Sequence, residues 1–152
     1  MSYIDTNLLF SSAQAAFASG ADVNSTNIID LAPHLAANAA YVPDTGTGEE
    51  ALVEVVVTTS FSGGTSIQPV LQTDTNTNFA TALAEFPLSG AIPVATAAAG
   101  YKWSYRIPNK GLKRYLRLAY RNVGVNAAGA VTAYIAKDGQ NNTPTPIGFT
   151  VG

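Results

Sequence analysis

Hydrophobic residues in this chain recur mostly with a period of two. In Leu52–Ser60, LVEVVVTTS, one side of an extended chain carries Val53, Val55 and Val57, and the other carries Glu54, Val56 and Thr58. That pattern predicts a strand. Ser62–Thr65, SGGT, interrupts it with glycines that can take a positive φ. Ser66–Thr73, SIQPVLQT, resumes the β-like text. At this separation the two runs predict a β-hairpin with a loop of about four residues. Pro69 cannot donate to a ladder, so the second run is expected on an edge or at a bulge.

Further along, Gly100–Ile107 alternates cleanly, Tyr101, Trp103, Tyr105 and Ile107 against Lys102, Ser104 and Arg106. Pro108–Gly111, PNKG, reads as a turn. In Leu112–Arg121, Leu116, Leu118 and Tyr120 are expected inward, and Tyr115, Arg117 and Arg121 outward. Asn122–Gly129 reads as a loop, and Ala130–Lys137 as a last strand with Val131, Ala133 and Ile135 on one face. Near the N-terminus, Leu8–Ala18 fits a short helix or a strand, Asn27–Leu31 a strand, and Ala32–Tyr41 an extended arm. Short strands at regular spacing predict one all-β domain over residues 1–152, an antiparallel β-sandwich of jelly-roll type. Its expected parts are an extended arm over about 1–50, a core over about 51–138 and an irregular tail over 139–152.

Charge changes the picture. Charged residues make up 12% of the 152-residue chain, and the net charge is −2. A quarter is usual, so the surface is charge-poor, as in proteins that work inside assemblies. The near-neutral total disfavours a general electrostatic binder of nucleic acid or anionic membrane. Nine of the ten acids precede residue 102, and all eight bases follow residue 101. That split predicts pairing between the two halves or between copies. No apolar run approaches the length of a membrane span, and MSYIDTNLLF lacks the basic start and long apolar stretch of a secretory signal.

Candidate chemistry is sparse. Without cysteine there is no thiolate or disulfide, and the one histidine, His34, cannot build a metal cluster alone. Asp74–Glu85, DTNTNFATALAE, places Asp74, Asn76, Asn78 and Glu85 at calcium-loop positions, but Phe79 stands where the sharp turn needs glycine. It reads instead as a turn that drops Phe79 into the core. The sequons at Asn24 and Asn141 read as loop composition, Ser62–Thr65 lacks the Lys-Ser/Thr of a phosphate loop, and Glu49-Glu50 read as solvated. The basic burst Lys102, Arg106, Lys110, Lys113, Arg114, Arg117 and Arg121 is interleaved with aromatics, as in single-strand binders. The aromatics at 101, 103 and 105 fall opposite Lys102 and Arg106, however, which is the ordinary pattern of a half-buried strand. No enzyme activity, cofactor, metal or nucleic-acid partner is expected.

Three stretches carry a resemblance. VVVTTSFSGGTSIQPVLQTDTNTNF (Val55–Phe79), KRYLRLAY (Lys113–Tyr120) and AGAVTAYIAKD (Ala128–Asp138) resemble the capsid cement, or decoration, proteins of tailed bacteriophages, of the Bordetella-phage type. FSSAQAA…STNIIDL, within Phe10–Leu31, is similar to the start of that family. The resemblance implies a jelly-roll-like sandwich without enzymatic activity. Such proteins are made in the host cytoplasm and dock on the exterior of the capsid. They act as homodimers that bridge neighbouring major capsid protein subunits. Tyr41, Tyr115 and Arg117 are the expected partner contacts, chosen for exposure and for the Tyr and Arg bias of interface hot spots. The alternative is a carbohydrate- or ligand-binding β-sandwich module of a virion, which would turn Tyr101, Trp103 and Tyr105 outward as a platform.

Overall fold

The computed structural model describes residues 5–33, 51–81, 83–108 and 110–136. Among the described residues, ten strands follow a 3-10 turn at Thr6–Leu8 that is capped by Asp5. They are β1 (Leu9–Ala15), β2 (Val23–Asn24), β3 (Ile29–Asp30), β4 (Leu52–Gly63), β5 (Ser66–Asp74), β6 (Ala84–Pro87), β7 (Ile92–Pro93), β8 (Lys102–Arg106), β9 (Tyr115–Val123) and β10 (Asn126–Ala136). Every strand pair is antiparallel. One sheet has the order β1-β10-β4-β8. The other has β9 and β5 at its centre, flanked by β2 and β3 on one side and by β6 and β7 on the other. The pairs nest, first strand with last and second with second-last, which is the jelly-roll arrangement expected.

The core lies between the sheets, and the alternation read along the chain supplies it. Val53, Val55, Val57, Val131, Ala133 and Trp103 from one sheet meet Ile67, Leu71, Leu116, Leu118 and Tyr120 from the other. Tyr120 also ties the sheets by a polar link. Its hydroxyl lies 2.8 Å from Ser11 Oγ on β1, and Ser11 Oγ in turn donates to Gln14 Oε1 at 2.7 Å. Burial, partly offset by the Ser11 hydrogen bond, pushes the Tyr120 phenol above its ordinary pKa, so it remains a neutral donor.

Several expectations are corrected. β4 and β5 are not a hairpin. Gly63 and Gly64, at φ +72 and +54, turn the chain from one sheet into the other. β9 and β10 do the same at Gly124, φ +81, so Asn122–Gly129 is mostly strand and not a loop. The two crossings lie against each other. Gly63 is opposite Asn126 in one sheet and Ser66 is opposite Val123 in the next, so one two-stranded ribbon folds over as a unit. Pro69 is on a central strand, not an edge. Its carbonyl accepts from Leu88 N at 3.0 Å, and a strand residue's N and O point the same way, so the missing N–H faces the break between β6 and β7. Residues 5–33, expected within an arm, are built into both sheets, because β1 joins β10 and β2 and β3 join β9. Of Leu8–Ala18, Leu9–Ala15 resolves as strand. The expected tail after 138 and most of the Ala32–Tyr41 arm lie outside the described residues.

The crossing leaves no room for side chains. A Cβ on Gly64 would stand 1.9 Å from Asn126 Oδ1, and one on Gly124 would stand 2.9 Å from Thr65 N. Gly64→Ala is therefore expected to cost about 2–4 kcal/mol, from left-handed backbone plus overpacking. Gly20→Ala has a similar φ, +62, with nothing within 4 Å, and is expected to cost about 1 kcal/mol. Urea denaturation midpoints measure both, and equal losses would show that the contact at the crossing contributes nothing.

Candidate functional site

The last two members of the basic burst, Arg117 and Arg121, sit on β9 at the centre of the second sheet. Alternation along β9 sends Leu116, Leu118 and Tyr120 inward and Arg117 and Arg121 outward. β9 lies between the acid-bearing N-terminal strands and β5, so its cations reach carboxylates on both sides. Arg121 Nη2 donates to Glu85 Oε2 at 2.7 Å, and its Nε lies 3.4 Å from Asp22 Oδ2. Glu85 Oε1 accepts from Gln72 Nε2 at 2.7 Å, and Gln72 Oε1 accepts from Arg117 Nε at 2.7 Å. The Arg117 guanidinium then covers the Phe79 ring, 4.2 Å from its centroid. The result is a polar chain across the outer face of the sheet.

The titration behaviour follows from those contacts. Glu85 is held below its ordinary carboxylate pKa by the Gln72 hydrogen bond and then by Arg121, against partial burial. Arg121 is raised, chiefly by its hydrogen bond to Glu85. Burial lowers Arg117, with Asp74 and Glu85 opposing. Each guanidinium stays charged at neutral pH.

A second ion pair closes the far end of the same sheet. Arg114 Nε and Nη2 donate to the two Asp30 oxygens, each at 2.9 Å, and Nη2 also reaches Ala32 O at 3.1 Å. The Asp30 hydrogen bond raises Arg114 above its ordinary value. The third cluster is one that reading the sequence missed. Glu54, in the valine run of β4, is fully buried, with Tyr134 Oη donating to Oε2 at 2.7 Å and Lys102 Nζ 2.8 Å from Oε1. Glu54 is opposite Tyr134 on β10, and Lys102 is on the neighbouring β8. Only the strand pairing brings these three residues together. All these ion pairs join a base after residue 101 to an acid before it, as the charge split predicted.

The expected contact residues fall in different places. Tyr115 is only 9% exposed, so the exposure expected of it is corrected, although it shares the parity of Arg117 and lies outside the inter-sheet core. It lies in register with Asp30 on one side and Asp74 on the other, and the Arg114 guanidinium stands 5.1 Å from its ring centroid. Arg117 is half-buried. Tyr41 and His34 lie outside the described residues, as do Glu49, Glu50 and the Asn141 sequon. Trp103 is 3% exposed and meets Tyr101 edge-on at 5.0 Å, so the aromatic platform faces inward. In the Asp74 turn, Asp74 Oδ1 accepts from Asn76 N at 3.0 Å. Phe79, at φ +52, is buried beneath Arg117 on the outer face rather than in the inter-sheet core.

Among the described residues no three His, Cys, Asp or Glu side chains gather to hold a metal ion. An open groove of about 520 Å³ runs past Asn7, Thr26, Asn27, Ile28 and Asp30, and the Asp30 carboxylate there is already engaged by Arg114. No helix among the described residues is long and apolar enough to cross a membrane.

Two measurements check the electrostatics. Glu85 titrates below its unfolded value, so it contributes stability above the ordinary carboxylate pKa and loses it as pH falls through its folded pKa. Glu85→Gln is expected to flatten that acid-side fall in urea titrations, and an unchanged slope would contradict the pairing. Asp30→Asn is expected to lower the pH 7 midpoint more than Asp22→Asn. It removes the carboxylate charge facing Arg114, which is 4% exposed, whereas the Asp22–Arg121 contact is long and solvated.

No curated protein matches the chain. The family model described as Bbp16 matches residues 10–135, from the second residue of β1 to the penultimate residue of β10. The name points to a Bordetella phage protein. Matched across both sheets and most of its length, the chain belongs to the Bbp16 family.

Proposed function

We propose that this protein is a capsid cement protein of a tailed phage. It binds the exterior of the assembled head, bridges neighbouring major capsid protein subunits and raises the cohesion of the shell, with no reaction catalysed. Membership of a phage family over both sheets supports the virion setting. The single observation that carries the non-catalytic part is the engagement of the ionic groups with one another. Arg114–Asp30, Arg121–Glu85, Arg121–Asp22 and Lys102–Glu54 are tied in pairs across strands, and the one of these carboxylates that lines the groove, Asp30, is already held by Arg114. A nucleophile with a neighbouring base, or two convergent acids in a pocket, would be needed for hydrolysis.

The mechanism is adhesion. A contact of about 800 Å² per partner is the usual size for a specific interface. A cement that binds the lattice but not free subunits stabilises the lattice by linkage. Repetition over a closed shell, and pairing as a homodimer, adds avidity, so single contacts can be weak. Arg117, steadied by Phe79 and Gln72, and Tyr41 are proposed contacts of the body and of the segment after β3.

Co-sedimentation with purified empty shells, followed by heating with and without the protein, tests the reading. Saturable binding and a higher shell melting temperature are expected. Absence of both ends it, as does turnover of any substrate by the purified protein.

A further inference from the structure

The two ends of the roll differ in charge. The connections β1–β2, β4–β5, β7–β8 and β9–β10 meet at one end. Val94 N donates to Thr65 O, Thr65 N to Val123 O, Gly20 N to Gly124 O, Asn126 N to Ala18 O and Phe61 N to Ala97 O. Not one of residues 16–21, 60–66, 92–99 and 123–129 is charged. The nearest charges, Asp22 and Arg121, border this end and face each other. Asp30, Asp74, Arg106, Lys110, Lys113 and Arg114 belong to the other end, where β3 and β5 meet the start of β9 and where β8 runs out.

The uncharged end is also apolar and stiff. Val125 and Val123, at 66% and 53%, are the two most exposed large apolar side chains among the described residues, and Phe17 at the same end is 39% exposed. Single exposed apolar residues are ordinary. A cluster on a charge-free tip is what docking surfaces present. The tip is held from beneath. Asn122 Nδ2 reaches Ala16 O at 3.1 Å and Ala21 O at 3.2 Å, and Asn122 Oδ1 accepts from Asn126 Nδ2 at 2.7 Å. The crossing glycines admit no slack. A surface fixed in advance loses little freedom on binding.

Accepting the cement reading above, on which this step rests, we infer that the Val123–Val125 end seats in an uncharged, apolar socket of the assembled shell. A charged socket would be stripped of water with no counter-charge to meet it. Backbone and Ser, Thr and Asn groups around the valines can satisfy the polar atoms of a neutral one.

The test uses the full chain and empty shells. Val125→Asp and, independently, Phe17→Asp are compared with the wild type and with Lys110→Glu at the opposite end. Melting temperature and sedimentation velocity are measured on each free protein. Both aspartate variants are expected to bind about tenfold or more weakly, from desolvation of an unpaired carboxylate, at unchanged melting temperature. Lys110→Glu is expected to bind as the wild type does, and raised salt to leave wild-type occupancy unchanged. Wild-type affinity in both aspartate variants overturns the inference while leaving the cement reading standing. So does release of the wild type by salt, or a change in the free protein's oligomeric state in place of shell binding, which would assign this end to contacts between copies. A wild type that does not bind shells removes the cement reading and the socket together.

Discussion

The back-to-back crossing of β4–β5 and β9–β10 is the constraint on which the rest of the molecule depends. Two chains leave one sheet and enter the other side by side, with Gly63, Gly64 and Gly124 at the closest approach. Both chains advance by the same number of residues through the turn, from Gly63 to Ser66 and from Val123 to Asn126. Register in one sheet therefore fixes register in the other. A slip of one residue would reverse every side chain on both faces. Glu54 would leave Tyr134, and the inward leucines of β9 would meet solvent while its arginines entered the core. Because these pairings join residues far apart in sequence, the fold is expected to form slowly for its size.

The same topology explains what becomes of the charge asymmetry. The acidic half supplies β2 and β3 on one side and β5 and β6 on the other, and the basic half supplies β9 between them. Arginines on a central strand meet acids on both sides without leaving the sheet. The stretch from Arg114 to Arg121 is thus largely the inner edge of an intramolecular network. Little unbalanced positive charge remains at Arg114 and Arg121 for a polyanion, since each is held by carboxylates.

Strand positions were legible because alternation is a local signal, and Val53, Val55, Val57, Leu116 and Leu118 all face as the period of two requires. Pairing was not legible, and each error has that root. Ser62–Thr65 has the glycines of a hairpin, and glycine with positive φ serves a sheet-to-sheet crossing equally well; only the distant partner Asn126 distinguishes the two. Pro69 looked confined to an edge or a bulge because the break between β6 and β7 is invisible along the chain. Tyr115 looked outward by parity, but parity does not reveal that Arg114 folds over its ring. The burial of Glu54 was hidden for the same reason, since Lys102 and Tyr134 reach it only once β8 and β10 flank β4.

Edges limit how such a body can adhere. An open sheet edge invites another strand, and a protein repeated densely over a surface cannot leave one unguarded without risking chains of itself. β6 and β7 end in Pro87 and Pro93, which cannot donate to an added strand. β1 carries register shifts between Leu9 and Ser11 and between Ser11 and Gln14, with Ala13 at φ +44. The residues after it lie across its outer side, with Asn27 N donating to Phe10 O and Gln14 Nε2 to Asn24 O. β2 and β3 are two residues each, and β8 carries Lys102 and Arg106. With strand addition discouraged on these sides, adhesion falls to the faces and ends of the roll. The outer face of the β9 sheet is occupied by its own ionic network, while the end at the crossing presents valine, alanine, serine and backbone in a frame that cannot shift. Specific contact at low charge thus follows from the same glycines that fold the ribbon over.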